Sequence, residues 1–394
     1  MNLLYISTSC PMNKIEILNK KFKKKLQVSS NKYHNALIDG LLDNGISICS
    51  IYALPINHSI STKLLWKSEK MNYNNCRYFQ LGFINLSFFK YISINYNLNR
   101  IIKKILKENY GEKNVILFDG AFVSIYPTLK KYVKQIPTYA IIADVYEYMA
   151  DVDNSSKYKK VVVNNVKKFI KSVNKYLTGY IFLNENMNKL YKSNNYIIIE
   201  GIVSNFNNVI RKRKNNNEKK IILYAGGLLE KFGIKNLIEA FKLIYDSSYE
   251  LHLYGYTDIE DYILNNTKSD CRIKYFGMKD TETVFLAEKN ATILVNPRPT
   301  CYEFQKYSFP SKIIEYMCSG TPVITTKIDG MPKEYDDYLF YFDDYSVDGL
   351  KQKIEEVLKY DSAIIEKKGI DAFNFVYKEK SAYVQAKKII EFID

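Results

Sequence analysis

Short apolar runs, polar turns and amphipathic stretches follow one another along the whole chain. Leu3–Ile6 predicts a first buried strand, and Ser7-Thr8-Ser9-Cys10-Pro11 the loop after it. Helical spacing predicts a helix over Tyr33–Leu42 stopped by Gly45, then a strand over Ile46–Tyr52. The same reading gives strands over Tyr78–Phe83, Val115–Phe118, Thr138–Ala143, Tyr180–Leu183 and Ile197–Ile199. Between them it gives helices over Tyr96–Glu108, Tyr126–Lys134, Lys157–Tyr176 and Glu185–Tyr191. The alternation restarts at Ile221–Tyr224 and continues with strands at Leu251–Tyr254, Arg272–Phe276, Ala291–Val295 and Leu339–Phe342. Helices are predicted at Ile234–Ile244, Thr281–Lys289 and Val347–Leu358, with helical runs from Ala363 to Ile393. Strands alternating with helices predict an α/β class with doubly wound parallel sheets. Ligands in such sheets bind beyond the carboxyl ends of strands. Asp119 and Asp144 fall at such ends.

A chain of 394 residues exceeds one typical core, so two domains are expected. The polar run 211–220 reads as a linker, because it lacks the interleaved aromatics of a nucleic-acid surface. The predicted division is 1–205, a linker over 206–220, a second domain over 221–372, and a terminal helical segment over 373–394.

The most informative segment is 307–325, Tyr-Ser-Phe-Pro-Ser-Lys-Ile-Ile-Glu-Tyr-Met-Cys-Ser-Gly-Thr-Pro-Val-Ile-Thr. It reads as a loop, a short helix with Pro310 in its first turn, a stop at Gly320 and Pro322, and a strand from Val323. Ser311, Lys312 and Glu315 then project from one side near the helix amino end. Free N–H groups and the helix dipole attract phosphate there. A lysine adds a point charge, and a carboxylate one turn deeper can accept hydrogen bonds from two ribose hydroxyls. Gly226-Gly227, between a strand and a helix, would let backbone amides approach a phosphate, with Lys231 in the same loop. Arg298 ends another strand just before the segment.

This string resembles the donor-binding segment of GT-B glycosyltransferases, in particular the retaining family-four type. The resemblance extends to Tyr224-Ala-Gly-Gly through Phe241 and to Asn296-Pro-Arg298, and covers roughly residues 220–360. It implies two Rossmann-like domains facing across a cleft, an amino-terminal acceptor-binding domain, a carboxy-terminal nucleotide-sugar domain, and a last helix crossing back to the first. Donor contacts are implied at Gly226, Gly227, Lys231, Arg298, Ser311, Lys312 and Glu315. Two departures stand out. The family's arginine after the first glycine is Gly227 here, and Arg298 is a candidate replacement. The first glutamate of the family's Glu-seven-residues-Glu motif falls on Tyr307, while Glu315 keeps the second. Tyr307 can hydrogen-bond the transferred sugar through its hydroxyl. Asp144 lies where the family often has a histidine or an acid near the reacting sugar, and a helix-capping role is open beside a catalytic one.

Charge extends the picture. Lys plus Arg number 57 against 42 Asp plus Glu, a net charge of +15 that suits an anionic partner. Within residues 15–26, Leu18, Phe22 and Leu26 are four apart and ringed by lysines. Lys20, Lys21, Phe22 and Lys24 are therefore candidates for contact with an anionic bilayer or a lipid diphosphate. The six scattered cysteines and three histidines argue against a zinc site and for a reducing compartment. Asp151-Val-Asp153 has the spacing of a manganese motif of the other glycosyltransferase fold, but a three-residue pattern arises by chance, and no metal is assigned. No apolar run is long enough for a membrane span, and Met1–Ser7 does not read as a signal peptide.

The resulting expectation is a metal-independent transferase using a UDP- or GDP-sugar and a glycan or lipid-linked acceptor in surface polysaccharide synthesis. It would be cytoplasmic and peripheral at the inner face of the membrane, with no nucleic-acid partner. A non-catalytic partner of the same fold and a nucleotide-sugar 2-epimerase are the alternatives.

Overall fold

The structure, a computed structural model, describes residues 1–22, 26, 29–145, 157–203, 219–301 and 303–394. It divides into two compact units, Met1–Ser204 with Ala382–Asp394, and Asn205–Ser381.

The first unit contains β1 (Asn2–Ser7), β2 (Ser47–Tyr52), β3 (Leu65–Trp66), β4 (Glu69–Tyr73), β5 (Cys76–Gln80), β6 (Phe83–Ile84), β7 (Asn114–Asp119), β8 (Thr138–Ile142), β9 (Gly179–Phe182) and β10 (Tyr196–Ile198). Eight of them form a sheet in the order β10-β9-β8-β7-β1-β2-β5-β4. Its core strands are parallel and buried as continuous apolar runs, as in β1 and β8. Among the described strands of this sheet only β4 is antiparallel, joined to β5 by Asn74-Asn75, both at positive φ. Two adjacent left-handed asparagines make the tight turn whose twist matches a hairpin. β3 and β6 form a separate antiparallel ribbon with Leu65 opposite Ile84.

The strand order reverses between β1 and β7, and the helix Ser29–Asp43 braces that point. Its Asn31 side chain accepts from the Cys10 amide at 2.9 Å, and Asn35 donates to the Cys10 carbonyl at 2.9 Å. His34 is buried, 2.5 Å through Nδ1 from the Tyr5 hydroxyl and 3.5 Å through Nε2 from Asp119. The helix Ala382–Ile393 packs on the same helix at Gly40, where a Cβ would stand 2.1 Å from the Ala382 carbonyl oxygen. The Ala382 amide donates to the Val203 carbonyl at 2.9 Å. By contrast, Ser362–Glu379 is one unbroken helix running through the 372/373 boundary read from the sequence.

The second unit holds β11 (Lys220–Ala225), β12 (Tyr249–Tyr254), β13 (Ile273–Gly277), β14 (Ile293–Asn296), β15 (Val323–Thr326) and β16 (Phe340–Phe342), all parallel. Their order is β13-β12-β11-β14-β15-β16. This is the doubly wound order in which a crevice opens between the first and fourth strands. The core beneath it joins Ile222, Leu251, Ile293 and Ile324 of the sheet to Leu237, Ile238 and Phe241 of the helix Ile234–Lys242. Gly233, at φ +81°, starts that helix and lies so close to Pro297 that a Cβ would meet its carbonyl oxygen at 2.1 Å. The loops after β11 and β14 are thus held together at the strand ends.

Candidate functional site

At this crevice the helix Ser311–Cys318 begins, with Pro310 at its N-cap position rather than in its first turn. Among the described residues no side chain caps it, and a helix amino end is positive and attracts anions. Tyr316 anchors the helix to the end of β11. Its fully buried hydroxyl accepts from the Ala225 amide at 2.8 Å and donates to the Ala225 carbonyl at 3.0 Å. Lys312 and Glu315 face outward and pair at 2.5 Å. Burial alone would lower the Lys312 pKa, but the carboxylates of Glu315 and Glu288 outweigh it, and the net shift is upward. Lys312 is therefore a fixed positive charge at the helix terminus.

Gly226, at φ +154°, comes next to it. A Cβ here would stand 3.4 Å from Lys312 Cε and 3.2 Å from the Tyr224 hydroxyl. That hydroxyl donates to the Gly227 carbonyl at 3.0 Å. Gly255, at φ +140°, lies behind: its Cβ would fall 1.7 Å from the Gly226 carbonyl oxygen. Arg298 completes the rim, with its guanidinium 5.3 Å over the Phe232 ring. Burial pulls its pKa down, and Tyr224 opposes that shift. Its carbonyl accepts from Thr326 Oγ1 at 2.7 Å, which fixes the end of β14 against β15.

The structure therefore brings Gly226, Gly227, Arg298, Lys312 and Glu315 to the carboxyl ends of β11 and β14. Ser311 is exposed at the helix start, and Lys231 is exposed with its ammonium 5.4 Å over Phe232. Tyr307 closes the short 3-10 turn Glu303–Tyr307 and is half-buried. Sequence reasoning missed Tyr224, Tyr316, Gly255 and Glu288. Gly255 carried a signal, a glycine directly after a strand; the buried Glu288 sits in a helix whose pattern gives none.

In the first unit Asp144 follows β8 and is exposed at the surface. The surrounding protein still desolvates its carboxyl, and this, followed by the charge of Asp119, raises its pKa above the usual 3.8. Asp119 is itself buried, accepting from the Ala121 amide at 2.9 Å and facing His34. It is therefore not a surface group, and its charge acts against ionisation of Asp144. A raised acid pKa means the unfolded chain loses that proton first, so stability falls as pH rises from about 4 through the folded pKa. Asp144→Asn is accordingly expected to raise Tm at pH 7, with the gain shrinking toward pH 4. Calorimetry at the two pH values checks this.

Residues 15–26 are not one lipid-facing stripe, which corrects the sequence expectation. The helix Met12–Lys21 ends before Phe22, and Ile15, Leu18 and Leu26 are buried. Phe22 packs edge-on against Trp66, at 6.3 Å between ring centroids. Lys20 and Lys21 are exposed, and Lys24 lies outside the described residues, as do Asp151 and Asp153. None of the six cysteines is in a disulfide. Among the described residues, no helix is long and apolar enough to cross a membrane.

Residues 205–369 match the family described as glycosyl transferases group 1. No curated protein sequence matches the chain. Among solved structures, the chain is similar to a sucrose-phosphate synthase from Thermosynechococcus elongatus, with TM-score 0.65 and 16% identity over 99% of this chain and 98% of that one. It is also similar to the lipopolysaccharide outer core galactosyltransferase WaaB, with TM-score 0.62 and 15% identity over 100% and 99%. HepE from Anabaena, solved in complex with UDP, aligns with TM-score 0.59 and 12% identity over 99% of each chain. These likenesses show the fold, that of GT-B glycosyltransferases with two Rossmann-like domains.

Proposed function

We propose that this chain, a glycosyltransferase of the hexosyl-transferring class by its group 1 domain and GT-B fold, uses a UDP- or GDP-sugar to extend a glycan or lipid-diphosphate-linked acceptor. The observation that carries the donor half is the pairing of Lys312 and Glu315 at an uncapped helix terminus beside Gly226, at the point where the strand order reverses. In this reading the diphosphate lies on the helix amides and draws Lys312 toward it, with Arg298 and Lys231 adding charge. Glu315 is left to the ribose hydroxyls. Tyr307 offers its hydroxyl to the sugar, and Asp144 is the candidate catalytic acid of the first unit. The bond from the anomeric carbon to the diphosphate oxygen breaks, and the acceptor oxygen bonds to the same face. The acceptor proton passes to the departing phosphate oxygen, so configuration is retained. Side chains and backbone amides supply the neutralising charge, with no metal in the scheme.

The acceptor half is supported by a net charge of +15 and by a structural likeness to a lipopolysaccharide galactosyltransferase. Both favour a surface glycan built at the cytoplasmic face of a membrane by a peripheral enzyme. The first test is nucleotide binding. Ligand at 100 times its Kd stabilises by about 2.7 kcal/mol, so UDP or GDP is expected to raise Tm in a scan against UDP, GDP and CDP. No shift with any of them would overturn the donor site.

A further inference from the structure

The amino-terminal half of the helix Ser87–Glu108 presents large apolar side chains to solvent. Phe88 is 70% exposed and Tyr96 67%, with Phe89 and Ile92 also exposed. Phe88, Ile92 and Tyr96 are four apart and so form one stripe. The opposite face, Ile94, Leu98, Ile102 and Ile105, is fully buried, so this helix already has its core contact. The outward stripe is extra. Next to the start of the helix, the β3–β6 ribbon adds Leu65 and Ile84, paired and both exposed. Isolated exposed apolar residues need no explanation, whereas a contiguous cluster does.

Along the same helix the outward side changes character. Beyond Tyr96 it carries Arg100, Lys103, Lys104 and Lys107, and the whole helix has five basic residues against Glu108 alone. The contact of Phe22 with Trp66 brings the end of the helix Met12–Lys21, with Lys20 and Lys21 in its last turn, to the ribbon. Lys63 lies 4.8 Å over Trp66. An apolar tip bordered by lysine and arginine matches the chemistry of an anionic bilayer, with hydrocarbon below and phosphate above. A second copy of this chain fits poorly, since two such helices would bring like charges together.

We propose that the amino-terminal half of Ser87–Glu108 and the β3–β6 ribbon insert into an anionic bilayer, with Arg100, Lys103 and Lys107 at the lipid phosphates. This deepens the proposed membrane-surface role and rests on it. It replaces residues 15–26 as the apolar part of the contact and keeps Lys20 and Lys21 as part of its basic margin. Tyr96, about 12 Å along the axis from Phe88 at 1.5 Å per residue, comes at the interface, where tyrosine is favoured.

The test is co-sedimentation of the full chain with vesicles of phosphatidylcholine alone or of phosphatidylcholine and phosphatidylglycerol in equal amounts. The wild type is expected to bind the mixed vesicles and not the neutral ones. The triple change Phe88→Ser, Phe89→Ser and Ile92→Ser is expected to weaken that binding by about 100-fold, given roughly 1 kcal/mol or more per inserted side chain. Lys103→Glu with Lys107→Glu is expected to weaken it about 10-fold or more. Tyr245→Ser, at an 86% exposed tyrosine in the second unit, is the control expected to bind as wild type. A wild-type circular dichroism spectrum and a cooperative thermal unfolding profile show that each variant is folded. Wild type and triple variant binding alike would overturn the patch while leaving the membrane reading intact. A wild type that ignores anionic vesicles would overturn both. Loss of a concentration-dependent dimer in the triple variant, with vesicle binding unchanged, would assign the patch to self-association and overturn the proposal.

Discussion

Lys312→Ala is expected to lower kcat/KM for sugar transfer by about 100- to 1000-fold, the size of effect seen when a preorganised charge is removed from a leaving group. The cause is specific to this site. Lys312 is ion-paired with Glu315, and the charge of Glu288 also acts on it. Without its ammonium, Glu315 loses this counter-charge beside the helix terminus where the diphosphate is proposed to bind, so attraction becomes repulsion. Steady-state rates against donor concentration, with calorimetric titration of the nucleoside diphosphate, separate the binding part from the catalytic part. Rates unchanged within a few-fold would place the leaving group elsewhere.

Gly255→Ala is expected to be as damaging by a different route. The residue sits at φ +140°, and a methyl group would fall 1.7 Å from the Gly226 carbonyl oxygen. Backbone strain and overpacking each cost about 1–3 kcal/mol. Relief must come from moving the loop after β11, which carries Gly226 and Gly227. A loss of about 3 kcal/mol or more corresponds to a Tm drop of roughly 10 °C for a unit of this size. The nucleotide-induced rise in Tm should disappear with it. Gly45→Ala is the matched control: it too has positive φ, at +80°, but no atom lies within 4 Å of its Cβ position. It should show a small loss of stability and keep nucleotide binding.

How far the sequence alone reached depends on where its information is local. The strands β1, β11 and β15 are short buried apolar runs, and such runs announce themselves. The helix 311–318 was legible because Gly320, at φ +70°, stops it where the pattern requires. That Gly226, Lys312 and Glu315 lie close together was legible because a glycine directly follows a strand and the other two share one side at a helix start. Three features escaped. β4 has mostly exposed or half-exposed polar residues, and it exists only because the two-asparagine turn folds it onto β5. The helix 87–108 was read as starting at Tyr96, since Phe88, Phe89 and Ile92 fall on its outer face and blur the helical period. The anchoring of Tyr316 to Ala225 joins residues 91 apart, a contact no local pattern encodes.

The helix Ala382–Ile393 completes the first unit from the far side of the second in sequence. On the ribosome, Gly40 and its surroundings therefore wait uncovered until all of 205–381 has been made. The inserted unit can finish its own sheet during that interval, while the enclosing one cannot close. Synthesis order thus makes the unit 205–381 the earlier to mature, and the other one dependent on its last thirteen residues.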